Sequence, residues 1–484
     1  MIKTNALRGM LLLPALSIPV PAAAQSGHQA VIAHVEANAE GYGAVAQQIW
    51  DLAEVGYQEI ESSGLLQAQL KGAGFDVEAD VAGMPTAFVA SFGEGSPVIG
   101  ILAEFDALPG ITQERSAERQ ALPAMGAGHA CGHHLFGAGS VAAALAVKAW
   151  LAGSGSSGAI RVYGTPAEEG GAGKVYMVRG GLFDDVDAVL HWHPSGVNSA
   201  SPSASLANKS AKFRFHGVSA HAASAPDQGR SALDGVEAMN HMVNMLREHV
   251  PQETRIHHVI TSGGSAPNVV PDFAEVYYYV RNPDSENVRA IFDRVVLAAE
   301  GAAMGTGTSM DYEVIHGIYA MLPNEALQRR AHANLTRVGG VEYDDAEREF
   351  AAMLRETLAN PLPLESAGEI QPYRPRPAGG STDVADVSWV VPTVGITTAT
   401  WVPGTPAHSW QAIAAGGMSI GEKGMIVAAK TLAVTAVDLL TDDDLLSAAK
   451  AEYAERVGSD FRYVSLVGDR PPPLDYRKPA TAGR

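Results

Sequence analysis

The sequence predicts an α/β protein in which a smaller ferredoxin-like α+β domain is inserted between the two halves of a larger domain. Three observations predict this organisation. The chain has 484 residues, more than a single hydrophobic core usually serves. Strand-like and helical stretches alternate up to about residue 206, which is typical of a mostly parallel sheet covered on both faces. Beyond that point the order changes to βαββαβ, the ferredoxin-like arrangement.

The first half of the larger domain is predicted to span residues 25–206. Apolar residues recur at helical spacing between His28 and Ala73, and a long apolar helix is predicted over Leu135–Leu151. Gly74 is suited to end the preceding helix. Short β-like runs predict strands at Ala87–Phe92, Val98–Ala103, Ala159–Tyr163 and Ala188–His191.

The inserted domain is predicted to span residues 207–322. Its strands are expected at Lys209–His216, Arg255–Thr261, Ala274–Arg281 and Ser309–Ile315, with helices at Ser231–His249 and Ser285–Met304. The larger domain resumes over residues 323–457, with helices at Glu325–Val338, Asp345–Leu358 and Gly421–Leu440 and a strand at Thr393–Thr400. Residues 458–484, which contain three consecutive prolines, predict an irregular tail.

The charge balance argues against two classes of partner. The chain has 34 Lys and Arg against 53 Asp and Glu, a formal net charge of -19. Such a protein repels nucleic acid and anionic membranes, so we expect it to bind neither. A small anionic ligand is not excluded, because a local basic group can still bind one.

The N-terminus has the pattern of an export signal. Two basic residues precede an apolar run, Met10–Val20, which is too short to span a bilayer. Ala22 and Ala24 then fit an A-x-A cleavage site, with Gln25 as the first residue of the mature chain. We therefore expect residues 1–24 to be a cleavable signal peptide and the protein to be periplasmic or secreted. The alternative is an N-terminus without a targeting role.

The segment Gly128–His134 combines a thiol with imidazoles. Cys131 is the only cysteine, so it cannot form an intramolecular disulfide. Thiolates and imidazoles are good ligands for zinc-like metals. The glycines in this segment let the backbone turn tightly, so that Cys131 and His133 can converge. The alternative for Cys131 is burial as a small apolar residue.

Glu168 and Glu169 lie in a glycine-rich loop directly after the strand Ala159–Tyr163. Adjacent side chains of an extended chain point in opposite directions. One carboxylate can therefore bind a metal while the other faces the metal's water as a general base. The alternative is a solvated pair without a role in chemistry, since Glu-Glu pairs are common on solvated helices. That alternative is weaker here, because this pair lies in a glycine-rich loop at a strand end.

Histidines follow two further strands. His193 lies where the strand begun at Ala188 ends, and His191 points to the same face, so either could be a ligand. His408 follows the strand Thr393–Thr400. Because ligands in an open α/β sheet gather at the carboxyl ends of the strands, we expect these clusters to meet at one edge.

A fifth cluster contains Glu104 and Asp106, which follow the strand Val98–Ala103. Carboxylates behind a metal site commonly orient the metal-bound histidines. We therefore predict that Asp106 orients a ligand. Its alternative role is to cap the N-terminus of a helix.

Over nearly its whole length after residue 24, the chain resembles the co-catalytic metallopeptidases that include aminoacylases, glutamate carboxypeptidases and the plant auxin-conjugate amidohydrolases. The motifs that carry the resemblance are Glu104-x-Asp106-Ala-Leu-Pro, His129-Ala-Cys131-Gly-His133, Pro166-Ala-Glu168-Glu169 and His408. Within that family the chain is most similar to the aminobenzoyl-glutamate utilization protein B branch. That similarity rests on Gly83-Met84-Pro85-Thr86-Ala87-Phe88, Trp192-His193-Pro194 and Gly379-Gly380-Ser381-Thr382-Asp383-Val384.

The resemblance implies a zinc-peptidase-like αβα catalytic domain with a smaller lid that often dimerises. It implies two divalent metal ions in each copy of the chain, zinc first, with manganese or cobalt as alternatives. The implied metal ligands are Cys131, His133, Glu169, His193 and His408. Glu168 is implied as the general base. Cys131 stands where other members carry a bridging aspartate, so a bridging thiolate is expected.

The resemblance also assigns roles in the lid. His221 resembles a histidine that reaches the active site of a dimer partner and polarises the scissile carbonyl, which implies a homodimer. Asn268 resembles a residue that contacts substrate. Arg281 or Lys209 is expected to hold a substrate carboxylate, and the sequence does not choose between them.

The expected activity is metal-dependent hydrolysis of the amide bond in a small N-acyl amino acid, an aminobenzoyl-glutamate-like conjugate or a dipeptide. An aminoacylase or dipeptidase with a different substrate is the nearest alternative. A thiol hydrolase using Cys131 and His133 would leave Glu168, Glu169 and His408 without roles. A periplasmic binding protein without activity would not need the Glu168-Glu169 pair.

Overall fold

The computed structural model describes residues 22–375 and 379–478, and it contains two large hydrophobic cores, one in each domain. The expected signal peptide therefore lies almost entirely outside the described residues. The first helix begins at Ala22, so cleavage after Ala24 would remove only the start of its first turn.

The first half of the larger domain alternates helices and strands. Its helices are α1 (Ala22–Ala37), α2 (Ala39–Leu52), α3 (Ile60–Gly72), α4 (His133–Ser154) and α5 (Gly173–Arg179). Its strands are β1 (Asp76–Ala79), β2 (Phe88–Glu94), β3 (Val98–Ala103), β4 (Leu108–Pro109), β5 (Ala127–Gly128), β6 (Gly158–Gly164) and β7 (Ala188–Ser195).

The inserted domain follows with strands and helices in the expected order. It consists of β8 (Ala207–His216), α6 (Ala232–Leu246), β9 (Arg255–Ser262), β10 (Phe273–Asn282), α7 (Ser285–Thr306) and β11 (Ser309–Ile318). The second half of the larger domain adds α8 (Glu325–Val338), α9 (Asp345–Arg355), α10 (Val384–Ser388), β12 (Thr393–Ala399), α11 (Trp410–Gly416), α12 (Ser419–Thr441) and α13 (Asp443–Val457).

The main sheet has six strands in the order β1-β2-β6-β3-β7-β12. Strands β6, β3, β7 and β12 are parallel, while β1 and β2 are antiparallel to their neighbours. Every residue of β3 is buried, as expected for a strand covered on both faces. The predicted mostly parallel α/β architecture is therefore confirmed, with an antiparallel extension at one edge.

Helices α4 and α12 pack against each other and against one face of this sheet. By length and composition alone both could cross a membrane, yet 78% and 83% of their most apolar windows are buried inside the protein. The close approach depends on glycine: a Cβ at Gly139 would lie 2.9 Å from Met425 and from Trp192. Their apolar composition is thus explained by the core they form.

The inserted domain has a four-stranded antiparallel sheet in the order β11-β8-β10-β9. This βαββαβ order is the ferredoxin-like arrangement, so that prediction is also confirmed. Helices α6 and α7 cover one face and enclose a core of their own. Alternation along β10 places Tyr278 in that core and Tyr277, Tyr279 and Arg281 on the opposite face.

Local sequence signals explain where several helices begin and end. The Asp284 side chain accepts hydrogen bonds from the first turn of α7, and Asp344 forms a capping box with Glu347 at α9. Gly74 has a φ of 88° just after α3, in the left-handed region that favours glycine. Beyond α13 the described residues 458–478 form neither helix nor strand.

Candidate metal centre

The structure brings six of the predicted site residues together beside the carboxyl ends of the parallel strands. Their ligand atoms fall into overlapping groups in which all atoms lie within 4.8 Å of one another. The groups are Cys131 with His133 and His193, Cys131 with Glu169 and His408, and His133 with Glu168 and Glu169. Cys131 belongs to two groups whose other members differ, which is the arrangement that a ligand shared by two neighbouring ions requires.

The turn between β5 and α4 places Cys131 and His133. Gly132 has a φ of 77°, and a Cβ there would lie 2.7 Å from the Cβ of Pro194. A larger residue would therefore be strained and would collide with β7. The glycine lets the chain reverse, so that the thiol and the first imidazole of α4 face the same space.

His193 lies next to the thiol. Its Nε2 is 3.3 Å from Cys131 Sγ, and its Nδ1 is 2.7 Å from the carbonyl of Pro194, to which it donates. Burial, and then the charge of His133, lower the pKa of His193 to about 4, so the ring is neutral and Nε2 can bind a metal. The His191 ring instead packs over Gly395 in β12. This geometry supports His193 as the ligand.

Asp106 lies in the loop between β3 and β4 and contacts two predicted ligands. Its Oδ1 is 2.9 Å from His133 Nδ1, and its Oδ2 accepts from the backbone N–H of Glu169 at 2.9 Å. The first contact directs His133 Nε2 toward the other ligand atoms. Asp106 therefore lies where a residue that orients ligands is expected, and it does not cap a helix.

The Glu168-Glu169 pair lies in a turn, so the expectation of an extended chain is wrong at this point. Ala167 has a φ of 59°, and the turn is closed by a hydrogen bond from Gly171 N–H to the Ala167 carbonyl. The two carboxylates still diverge. Glu169 joins Cys131, whereas Glu168 also lies within 4.8 Å of Glu104 and Asp383.

Burial raises the pKa of Glu168 well above its ordinary value, and the nearby carboxylates of Glu104 and Glu169 raise it further. A carboxylate with a raised pKa holds a proton more readily than an exposed glutamate does. This is the property that a general base needs if it must take up a proton and then release it.

A buried network behind Glu168 was not found from the sequence. Lys174 Nζ lies 2.7 Å from Glu104 Oε1 and 2.7 Å from Asp383 Oδ1, and all three side chains are fully buried. The ammonium group offsets the repulsion among carboxylates gathered at this edge of the sheet. Asp383 lies in a glycine-rich segment that is visible in the sequence, but no local pattern singled out Lys174.

Several buried polar atoms of the site have no hydrogen-bond partner among the described residues. They are His133 Nε2 and Glu104 Oε2, which lie 3.2 Å apart, and Glu169 Oε1, which lies 3.2 Å from His408 Nε2; these contacts do not have hydrogen-bond geometry. Leaving such atoms unpaired costs free energy unless a ligand satisfies them. A cluster of sulfur, imidazole nitrogen and carboxylate oxygen donors fits divalent metal ions, so the residues present suit the metal sites that the sequence implies.

The thiol does not have the properties of a nucleophile. Burial raises the pKa of the Cys131 thiol far above its ordinary value, although the neighbouring His133 opposes this. Reactive cysteines have lowered pKa values. The raised pKa argues against the thiol hydrolase alternative, and the two groups of ligand atoms that share Cys131 favour it as a metal ligand.

A cavity of about 320 Å³ adjoins the cluster. Its wall includes Cys131, Glu168 and the loop Gly379–Thr382. Five serines line the same cavity, namely Ser381 of that loop and Ser199, Ser201, Ser203 and Ser205. The space is large enough for part of a small substrate, and it opens directly onto the predicted ligands.

The predicted lid residues lie apart from this cavity. The backbone N–H of Ala222 donates to the Asn268 carbonyl at 3.0 Å, so His221 and Asn268 belong to one lid surface, and neither lines the cavity. His221 Nδ1 accepts from the N–H groups of Ala223 and Ser224 at 3.2 Å. The proton of the neutral ring is therefore on Nε2, where it can be donated.

The two candidates for binding a carboxylate lie on opposite faces of the lid sheet. Lys209 Nζ is 4.5 Å from the ring centroid of Phe292 in α7, on the face that the helices cover. Arg281 is on the other face, with its Nε buried and without a hydrogen-bond partner among the described residues. The side-chain oxygen of its cross-strand partner, Asn208, is likewise buried and has no hydrogen-bond partner among the described residues. The geometry favours Arg281.

The chain is similar in sequence to several known proteins. Residues 207–307 match the family model described as the peptidase dimerisation domain, M20_dimer. The chain is 40% identical over 449 residues to the B polypeptide of p-aminobenzoyl-glutamate hydrolase from Escherichia coli strain K12, covering 87% of this chain and 93% of that protein. It is 29% identical to the Xaa-Arg dipeptidase of Mus musculus, covering 87% of this chain and 90% of that protein.

Solved structures share the fold. A dinuclear metal-binding peptidase of the M20 family from Bacillus subtilis aligns with a TM-score of 0.56 at 20% identity, covering 86% of this chain and 99% of that chain. An aminobenzoyl-glutamate utilization protein from Klebsiella pneumoniae aligns with a TM-score of 0.58 at 19% identity, covering 84% of this chain and 97% of that chain. The chain therefore belongs to the M20 peptidase family, and it is a metal-dependent hydrolase of amide bonds.

Proposed function

We propose that this enzyme hydrolyses the amide bond of a small N-acyl amino acid, with an aminobenzoyl-glutamate-like conjugate as the first candidate. The observation that carries the proposal is the pair of donor groups that share Cys131, with Glu168 beside them. The choice of substrate follows the similarity to p-aminobenzoyl-glutamate hydrolase. An aminoacylase or dipeptidase activity is the alternative, supported by the similarity to Xaa-Arg dipeptidase.

We propose two divalent ions in each copy of the chain. Cys131, His133 and His193 would hold one ion, and Cys131, Glu169 and His408 the other. Zinc suits the thiolate best, with manganese or cobalt as the alternatives. When bound, the ions supply a water molecule whose pKa is lowered toward neutrality.

Glu168 would take a proton from the attacking water as the oxygen of that water adds to the amide carbonyl carbon. The carbon–nitrogen bond then breaks, and Glu168 passes the proton to the leaving nitrogen, which departs as an amine. His221 donates its Nε2 proton in a hydrogen bond to the carbonyl oxygen as negative charge develops there. Arg281 binds the substrate carboxylate as a charge-assisted pair.

A homodimer is part of the proposal, because His221 and Asn268 do not line the cavity of their own chain. The matched domain is described as a peptidase dimerisation domain. Strand β9 is at the edge of the lid sheet, and its Val259 and Ile260 are exposed. An exposed apolar edge strand is suited to pair with a second copy.

We also propose that the protein is exported, on the N-terminal pattern of basic residues, the apolar run Met10–Val20 and the A-x-A site. N-terminal sequencing of the protein recovered from the periplasm or medium tests this. A mature chain that starts at Gln25 is expected.

Amide hydrolysis by the purified protein is the experiment that tests the function. The substrates are p-aminobenzoyl-glutamate, N-acyl amino acids and dipeptides, each offered with zinc, with manganese and with chelator. We expect turnover that chelator abolishes and that re-added metal restores. Turnover that survives complete removal of metal would refute the metal mechanism. A metal-loaded protein that binds a substrate tightly without cleaving it would support the binding-protein alternative.

Substitution of Cys131 tests the shared ligand. The Cys131→Ala variant should bind both ions at least about 100-fold more weakly and should therefore lose them. Removing a residue that only orients a ligand typically weakens metal affinity by about 10–100-fold, so the loss of a shared ligand should reach at least the upper end of that range. The Cys131→Asp variant should retain two ions and shift its preference from zinc toward manganese, because carboxylates suit manganese better than thiolates do. Metal content after dialysis against equimolar zinc and manganese measures both effects. Unchanged content in Cys131→Ala would mean that the cysteine is only a buried apolar residue.

A further inference from the structure

The C-terminal arm, defined as residues 458–478, runs across both domains before it reaches the site. Near its start, Tyr463 donates to Asp386 Oδ1 at 2.7 Å in the larger domain. The Val464 carbonyl then accepts from Tyr319, at the end of the lid, at 2.9 Å. Further along, Arg470 donates to the backbone of β11. The arm is thus fixed to the larger domain and to the lid.

The end of the arm packs beside the loop that carries the Glu168-Glu169 pair. Gln58 donates to the Leu474 carbonyl at 2.9 Å, and the Tyr476 ring meets Tyr57 edge-on with centroids 5.7 Å apart. Tyr57 itself donates to the Gly171 carbonyl at 2.8 Å. The arm and the α2–α3 connection therefore hold this loop from the same side.

Two side chains of the arm bind the backbone of one predicted ligand. The Tyr476 hydroxyl donates to the Glu169 carbonyl at 3.0 Å, and Arg477 Nη2 donates to the same oxygen at 2.5 Å. The N–H of Glu169 donates to Asp106 at 2.9 Å. Both backbone polar groups of Glu169 are therefore bound by side chains from distant parts of the chain, and the Arg477 bond is charge-assisted.

We propose that Tyr476 and Arg477 are positioning residues that fix the direction of the Glu169 carboxylate through its backbone. This rests on the proposed function, in which Glu169 is a ligand of one ion. The turn's own hydrogen bonds run from Gly171 N–H to the Ala167 carbonyl at 2.9 Å and from Gly170 N–H to the Glu168 carbonyl at 2.7 Å, and neither of them binds the Glu169 carbonyl. The arm supplies two hydrogen bonds to that carbonyl, so it constrains the backbone from which the Glu169 carboxylate projects.

The test compares full-length variants with the unmodified protein. Tyr476→Phe and Arg477→Met each remove one donor, and the double variant removes both. Lys478→Met is the matched control, because Lys478 is 55% exposed and its ion pair is with Asp475 in the arm itself. The measurements are the two zinc dissociation constants, by competition with a chromophoric chelator, and the thermal midpoint of the metal-free protein.

We expect the double variant to bind one of the two ions about 10–100-fold more weakly, the loss typical of removing residues that orient a ligand. The zinc affinities of the single variants should lie between those of the double variant and the unmodified protein. Arg477→Lys should recover part of the affinity that Arg477→Met loses. Lys478→Met should have the zinc affinities of the unmodified protein. The metal-free thermal midpoint should change by only a few degrees, and saturating zinc should restore most of kcat.

Suppose that the unmodified protein binds two ions and cleaves amides, and that the double variant has the same zinc affinities. This result would overturn the positioning role and leave the proposed function intact. An equal loss in Lys478→Met, or a collapse of the metal-free thermal midpoint, would overturn it as well, because the arm would then act through general stability. An unmodified protein that binds no divalent ion would overturn the proposed function itself.

Discussion

The Glu168→Gln variant should lose about 10³-fold or more in kcat while its metal content stays near that of the unmodified enzyme. General acid–base catalysis contributes about 10²–10⁴-fold, and glutamine can neither take a proton from water nor return one to the leaving nitrogen. The amide has nearly the size of the carboxylate, so the buried surroundings need not rearrange. Steady-state kinetics at saturating metal, together with elemental analysis, measure both quantities.

Glu169→Gln is the matched control, since it makes the same chemical change one residue further along. Glu169 lies in the group with Cys131 and His408, so this variant should lose metal and turnover together. Glu168 also lies within 4.8 Å of His133 and Glu169. If Glu168→Gln lost its metal as Glu169→Gln does, Glu168 would be a ligand, and another group would have to act as the base.

The surroundings of Glu168 also bear on the alternative of a binding protein without activity. A binding site has no use for a carboxylate whose pKa is raised by burial and by neighbouring carboxylates. Bringing Glu104, Glu168 and Asp383 together costs free energy, which the fully buried Lys174 partly offsets. Such an arrangement is typical of groups that must exchange protons.

The strands and the ferredoxin-like insertion could be predicted because their apolar patterns are local. Strand β3 is buried on both faces and is continuously apolar, and the alternation in β10 marks its two faces. The antiparallel direction of β2 could not be predicted, because direction depends on which strand becomes its neighbour, here β6. The short helices α5, α10 and α11 are too brief to show helical periodicity.

Three of the candidate ligands, Glu169, His193 and His408, could be predicted to meet because they lie at or after the ends of parallel strands of the main sheet. Cys131 and His133 instead follow β5, which pairs antiparallel with β4 outside that sheet, so their predicted position after a strand of the parallel sheet is wrong. The residues that hold them in place were harder to find. Lys174 reaches Asp383 across 209 positions of sequence, and Tyr476 reaches Glu169 across 307. Neither residue belongs to a local pattern, so tertiary structure alone reveals them. The turn at Ala167 was missed for a related reason, since alanine rarely adopts a left-handed backbone.

Mixing two inactive variants should restore activity if His221 serves the other chain of the dimer. The His221→Ala homodimer should lose about 10²–10³-fold in kcat, the usual effect of removing one donor to a developing oxyanion. In a mixed dimer with Glu168→Gln, one site combines an intact Glu168 with an intact His221 from the other chain. Random reassortment makes about half of the dimers mixed, so about one quarter of the unmodified turnover should return.

Mixing Glu168→Gln with Cys131→Ala is the control, because both changes lie in the same chain's cluster and no mixed dimer gains an intact site. Recovery in the first mixture and none in the second would require a site built from two chains. If neither mixture recovers while both variants reassort, His221 acts within its own chain or not at all. If His221 acts within its own chain, the lid must move so that the surface containing His221 and Asn268 covers the cavity of that chain. In this conformation neither residue lines that cavity. Full turnover in the His221→Ala homodimer would leave stabilisation of the oxyanion to the metal ions alone.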